Sequence, residues 1–353
     1  MNNNNKITEE NQQTNNAILE KCATKKTKNP KFTSYIEKFI SESMLNLIRT
    51  CGDYVSFLAN ESLDKIKLHS ANFCKNRFCP MCSWRLACKD SLKISILMEH
   101  LKKEEAKEFI FLTLTTPNIK GDKLNSEILN LNKSFDKLMK RKEVKSIVKG
   151  YIRKLEVTYQ KEQYITKELW KRKKKYYENK GLRIGDIEPN YDTYHPHFHV
   201  VIAVNKSYFK EKGKYLSQDR WLNLWREATG NDNITQVDVR KATSSDHKEV
   251  YELAKYSAKD SDYLVNRRVF EVFYKALKGK RLIVFGGLFK DANAMYENGE
   301  LDIYKKQDNI KYVYMLNYEW FKNRYLEIIK RELTEEEVKK YNKMLIDEME
   351  VDC

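Results

Sequence analysis

The sequence predicts an α+β fold: a small antiparallel sheet flanked by helices, preceded by a cysteine-rich segment. Three observations carry that expectation. Short β-branched or alternating runs recur between amphipathic stretches instead of filling one block. One such run, His195-Pro196-His197-Phe198-His199-Val200-Val201-Ile202-Ala203-Val204, sets two histidines two residues apart, and so on one face of a strand. Three cysteines cluster ahead of the strands in Cys74-x4-Cys79-Pro80-Met81-Cys82.

In chain order, residues 1–30 are Asn, Gln, Thr and Lys with few hydrophobes, which predicts a disordered tail. Residues 31–105 read as a helical, cysteine-rich segment. Its first helix covers 35–49 and its second 84–101, apolar at Leu86, Leu92, Ile94 and Ile96. Residues 106–275 interleave strands at 109–115, 152–159, 197–204 and 235–239 with helices at 124–139 and 216–228. The latter helix sets Trp221 and Trp225 four apart. A last helix in this region would carry Glu252, Tyr256 and Lys259 on one face by four- and three-residue spacing. Residues 161–186 form a basic insertion containing Trp170-Lys-Arg-Lys-Lys-Lys-Tyr176. Such a run can hold a DNA backbone, but a solvated lysine-rich helix is the slightly favoured reading. Residues 276–353 read as mostly helical and charged, with no assigned role.

The chain has 353 residues, 41% hydrophobic and 33% charged, with 66 Lys and Arg against 50 acidic residues and a formal net charge of +16. That length suits about two domains. The charge suits a polyanionic partner without establishing one. No apolar run approaches a membrane span and no signal peptide opens the chain, so the expected compartment is the cytoplasm. Seven cysteines in a reducing compartment point to free thiols or metal ligands rather than disulfides. Cys22 and Cys353 look incidental. No Gly-x4-Gly-Lys-Ser/Thr loop is present, so the chain should carry no nucleotide-driven helicase of its own.

Two kinds of metal chemistry follow from the side chains. His197 and His199 on one rigid strand make half of a cation site. A tyrosine helix downstream of such a pair suggests attack on a phosphodiester by Tyr256. Thiolates at Cys74, Cys79 and Cys82, with Pro80 stiffening the turn, suit a structural zinc. The fourth ligand would be Cys51, His69 or Cys88.

Taken in order, these motifs resemble the rolling-circle plasmid replication initiators, the Rep proteins of the HUH endonuclease superfamily. The resemblance spans roughly residues 45–290. It adds Phe111-Leu-Thr113-Leu-Thr115, similar to the family's first strand motif, and Lys154-Leu-Glu156-Val-Thr158-Tyr159, similar to the strand bearing a third metal ligand. It implies a ferredoxin- or RRM-like core and makes Glu156 the companion of His197 and His199 around Mn2+ or Mg2+. His195 resembles the family's frequent extra histidine and is taken as a neighbour, not a ligand. The family's upstream Cys-Gly favours Cys51 as the fourth zinc ligand.

The resemblance further implies that Tyr256 nicks one strand of a plasmid double-strand origin. The products would be a 5′-phosphotyrosyl intermediate and a 3′-hydroxyl primer. Glu252 would assist termination, and Lys259 would steady the phosphate. Partners would be origin DNA, single-stranded at the nick, with host helicase and polymerase, and a homodimer is compatible with these features. Tyr263, seven residues beyond Tyr256, is the runner-up nucleophile. Rival readings are a mobilisation relaxase or tyrosine transposase, against which the cysteine cluster speaks, and a non-catalytic zinc-stabilised origin-binding repressor.

Overall fold

A computed structural model describes residues 17–211, 213–242, 250, 253 and 258–347. The fold is α+β with two antiparallel sheets. The chain divides into two compact units, Met1–Leu86 with Lys305–Asp347, and Ala87–Tyr304 with Glu348–Cys353.

The first unit begins with helices α1 (Ala17–Lys26), α2 (Asn29–Ile36) and α3 (Glu42–Arg49). Residues 17–30 are thus mainly helical, not a disordered tail. Cys22 is fully buried, as are Phe32 and Ile36 further along, in α2. Lys26, also buried, donates to the carbonyls of Arg49 and Cys51 at 3.1 and 2.9 Å and pairs with Asp53 at 2.6 Å. Composition alone gave no sign of those partners. Residues 1–16 lie outside the described residues.

Strands β1 (Tyr54–Asn60) and β2 (Ile66–Ala71) follow, and helix α4 (Pro80–Lys103) runs from this unit into the second. The region after residue 276 is not mostly helical, because it returns two strands to the first unit. These are named β8 (Tyr312–Phe321) and β9 (Arg324–Glu332), and they complete a sheet in the order β2-β1-β8-β9. Lys322 and Asn323 both take positive φ (47° and 63°), the conformation a two-residue hairpin turn requires. Aromatic and apolar residues of β8, among them Tyr312, Leu316 and Tyr318, are buried. Most charges of β9, Arg331 excepted, sit on its exposed positions, and that density of charge masks the strand in sequence.

The second unit is built on strands β3 (Lys107–Thr115), β4 (Val148–Gln160), β5 (Thr193–Asn205), β6 (Asp238–Ala242) and β7 (Ile283–Gly287), in the order β6-β3-β5-β4-β7. Helices α5 (Leu124–Lys140) and α6 (Lys142–Ile147) precede β4, α7 (Lys167–Asn179) interrupts the β4–β5 connection, and α8 (Gln218–Thr229) precedes β6. Helices α9 (Asp260–Tyr263), α10 (Arg267–Leu277) and α11 (Leu288–Glu297) come later. Side chains alternate between the two faces of β5. Phe198 meets Phe135 of α5 edge-on at 5.8 Å, and Tyr194 meets Phe273 of α10 at 5.4 Å. Those contacts make the even-numbered face of β5 the helix-covered core. His197 and His199 therefore turn to the opposite face. At the far end of that face Phe109 packs on Phe289 of α11.

Strand β5 begins at Thr193, before the expected start at 197. Pro196 is tolerated inside it because β3 ends at Thr115, opposite His197, so the ladder there has β4 as its strand neighbour.

Candidate functional site

The antiparallel register brings the predicted ligands together. Glu156 of β4 lies directly opposite His197 of β5, and Thr113 of β3 lies opposite His199. The ligand atoms of Glu156, His197 and His199 all lie within 4.8 Å of one another, and all three residues are buried. His199 Nε2 is 2.9 Å and His197 Nε2 3.5 Å from Glu156 Oε2.

The outer contacts orient the rings. His197 Nδ1 is 3.1 Å from the His195 carbonyl. With a cation bound, a proton on Nδ1 would donate to that oxygen and the Nε2 lone pair would be free to ligate, the tautomer a metal ligand needs. His199 Nδ1 is 3.3 Å from Thr113 Oγ1, and its ring stacks on Phe111 at 5.6 Å. Burial alone would raise the Glu156 carboxyl, but hydrogen bonds from His197 and His199 outweigh it and hold the group below the usual range. A carboxylate kept ionised between two imidazoles is a donor set that fits a divalent cation with open positions.

His195 shares this face and stacks on His197 at 5.0 Å. Burial, then the nearby charges of His197 and Lys173, push it down to about 3, so it stays neutral.

Tyr256 and Glu252 lie outside the described residues. In the same segment Val250 and Leu253 are fully buried. Lys259 is exposed, and its backbone is extended (φ −73°, ψ 145°) as the cap of α9. Its relation to Tyr256 lies outside the described residues. Tyr263 is a core ring, 2% exposed and packed edge-on against Phe270 and Phe273.

One acidic group near the site was missed in the sequence. Asp262 of α9 is pushed up to about 6 by burial, opposed by Lys259 and reinforced by the charge of Glu156. Its position three residues after Lys259 was its only sequence signal.

The cysteines form a second cluster, within the first unit. The sulfurs of Cys51, Cys74, Cys79 and Cys82 lie within 4.8 Å of one another. Three pairs, Cys51–Cys82, Cys74–Cys82 and Cys79–Cys51, are 3.6 Å apart. A tetrahedron with Zn–S bonds of about 2.3 Å has sulfurs ~3.8 Å apart, so the set has zinc dimensions. The Cys74 amide donates to the Cys51 sulfur at 3.4 Å. Thiol donors, Cys74 foremost, hold Cys51 far below the ordinary thiol range, while the contact with Cys51 pushes Cys79 and Cys82 up. A cation would relieve that crowding of sulfur charge. His69 instead packs its ring on Tyr341 at 4.9 Å, and Cys88 is buried within α4 outside the cluster.

The site and fold agree with comparison to known proteins. A family described as replication protein matches residues 65–326. "Protein rep" of Staphylococcus aureus is 49% identical over 249 residues, covering 70% of this chain and 96% of that protein. "Protein rep" of Streptococcus pneumoniae serotype 2 is 35% identical over 279 residues, 76% of this chain and 78% of that protein. A Bacillus "Protein rep" is 31% identical over 316 residues, 81% of this chain and 90% of its own length. No solved structure matches. The chain belongs to the Rep family of replication proteins. Among the described residues no helix is long and apolar enough to cross a membrane.

Proposed function

We propose that this chain initiates plasmid rolling-circle replication by nicking one strand of its double-strand origin, with Tyr256 as the nucleophile. The observation that carries the reading is the convergence of Glu156, His197 and His199, all three buried, on one face of the sheet. These three would hold Mn2+ or Mg2+, which when bound supplies Lewis-acid polarisation of the scissile phosphate and offsets its developing charge.

The remaining steps belong to the chain's own residues. Thr113 and the His195 carbonyl orient the two imidazoles. The Tyr256 phenol gives up its proton to solvent and its oxygen bonds to phosphorus as the bond to the 3′ oxygen breaks. That oxygen takes a proton and leaves as a 3′-hydroxyl primer, while the 5′ phosphate stays on the tyrosine. Phosphodiester bond energy is conserved, so no ATP is needed. At termination Glu252 removes a proton from water or from an incoming 3′-hydroxyl, which releases the tyrosine. Lys259 steadies the phosphate.

Cys51, Cys74, Cys79 and Cys82 would hold a structural zinc; with four protein ligands it leaves no open position for catalysis. The protein would work in the cytoplasm on origin DNA, single-stranded at the nick, with host helicase and polymerase.

The test uses full-length protein, Mn2+ and a supercoiled plasmid carrying the gene's own flanking DNA. Wild type should yield open circles. Glu156→Gln and His197→Ala should lose at least a hundred-fold in rate while still binding the DNA. Binding without nicking under any divalent cation would replace this reading with a non-catalytic origin-binding regulator.

A further inference from the structure

The insertion between β4 and β5 leaves the sheet at the end that carries the candidate metal ligands. Its helix α7 is firmly seated. Leu169 and Tyr177 are buried, Trp170 stacks on Tyr177 at 5.9 Å, and the Tyr177 hydroxyl donates to the Glu188 carboxylate. The Thr166 side chain caps the helix by accepting from the Leu169 amide at 3.2 Å.

The other side of the helix is basic. Lys171, Arg172, Lys174 and Lys175 are exposed. Only Lys174 has an acidic partner, Glu178 at 3.7 Å, and among the described residues Lys171, Arg172 and Lys175 form no ion pair. Lys173 departs from helical geometry (φ −124°, ψ 26°), and its ammonium donates to Gln160 Oε1 at 3.3 Å. Gln160 shares the face of β4 that presents Glu156, four residues away or about 13 Å at strand spacing. The bend at Lys173 thus accompanies one cation reaching the end of β4, while the four exposed cations flank it on a seated helix. A solvated lysine helix has no need of that geometry.

We infer that the basic face of α7 is the track for the DNA strand entering the candidate active site. Lys173 sits at the inner end, nearest the reacting phosphate, and Lys171, Arg172, Lys174 and Lys175 hold successive backbone phosphates. The inference rests on the nicking reading above. It names a partner surface that the metal ligands do not supply. Contacts of this kind are electrostatic and independent of sequence, so their signature is salt dependence.

The experiment compares full-length wild type with the variant K171Q/R172Q/K174Q/K175Q. A charge-matched control, K133Q/K137Q/K140Q/K142Q, alters exposed lysines of α5 and α6. Each binds a labelled single-stranded oligonucleotide spanning the gene's own nick region over a series of salt concentrations. All eight side chains are exposed, and circular dichroism checks that each variant folds.

The α7 variant should bind at least ten-fold more weakly at moderate salt, with a log K against log salt slope shallower by about 2 to 3. Its nicking at limiting protein should fall along with its binding. The control should keep the wild-type slope. An unchanged slope for the α7 variant, or equal losses in the control, overturns the inference and leaves the helix to an acidic protein partner. Wild type that neither binds nor nicks overturns the functional reading as well, so the two failures are distinguishable.

Discussion

Each candidate ligand is held by a different local cause. His197 is set by its own strand, through the His195 carbonyl two residues back. His199 is set by a neighbouring strand, through Thr113 and Phe111, and Glu156 by its register opposite His197. Isothermal titration with Mn2+ should therefore show binding to wild type and at least a ten-fold weaker affinity for His199→Ala; equal affinities would remove His199 from the site.

Asp262 yields a pH prediction. A carboxyl raised from 3.8 to about 6 by folding destabilises the fold when ionised. The penalty is absent below its unfolded pKa, grows through the folded pKa and is complete above it. Asp262→Asn should thus stabilise the metal-free protein by about 3 kcal/mol at pH 8, and the gain should vanish near pH 4. Thermal melts in EDTA at the two pH values measure it, and equal shifts at both would contradict the burial argument. The histidine pair was legible because a strand's period is two. Asp262 and Lys173 were not, because their nearness to the site arises only when the chain folds back.

The elements that position the site were mostly readable from apolar periodicity, and the errors share a cause. The run 193–205 is buried on both faces and 124–140 buries one continuous face, so apolar pattern and structure coincide. Strand β9 exposes most of its residues at the edge of a sheet, and helix α1 is anchored by a buried lysine, so neither shows a clean apolar period. Glycine has a specific task where β4 meets β7. Gly287 has φ +55°, and an added Cβ would lie 2.4 Å from the Lys149 carbonyl oxygen and 2.9 Å from Gly150 Cα. Gly287→Ala should cost on the order of 1–3 kcal/mol, read as a lower urea midpoint with an unchanged slope. An unchanged midpoint would mean that β7 does not hold this register.

On the scale of the whole molecule, the two compact units carry different candidate metals. Four sulfurs at tetrahedral spacing serve the first unit, and two imidazoles with a carboxylate serve the second. Purified protein should contain one zinc per chain, released in proportion to thiols blocked by a mercurial, with a lower melting temperature after release. Zinc-free protein with an unchanged melt would make the cluster a set of ordinary buried thiols. The cysteine framework was legible down to three residues. Cys51 required the resemblance, because its separation of 23 positions from Cys74 spans both strands of a hairpin and fixes no distance in sequence.

The most direct test of tyrosine-dependent nicking is to trap the covalent protein–DNA adduct on origin DNA with Mn2+ and map the modified peptide. The expected result is a 5′-phosphotyrosyl link at Tyr256, absent in Tyr256→Phe, with DNA binding retained. An adduct on another tyrosine, or strand cleavage with no protein attached, would contradict the proposed chemistry.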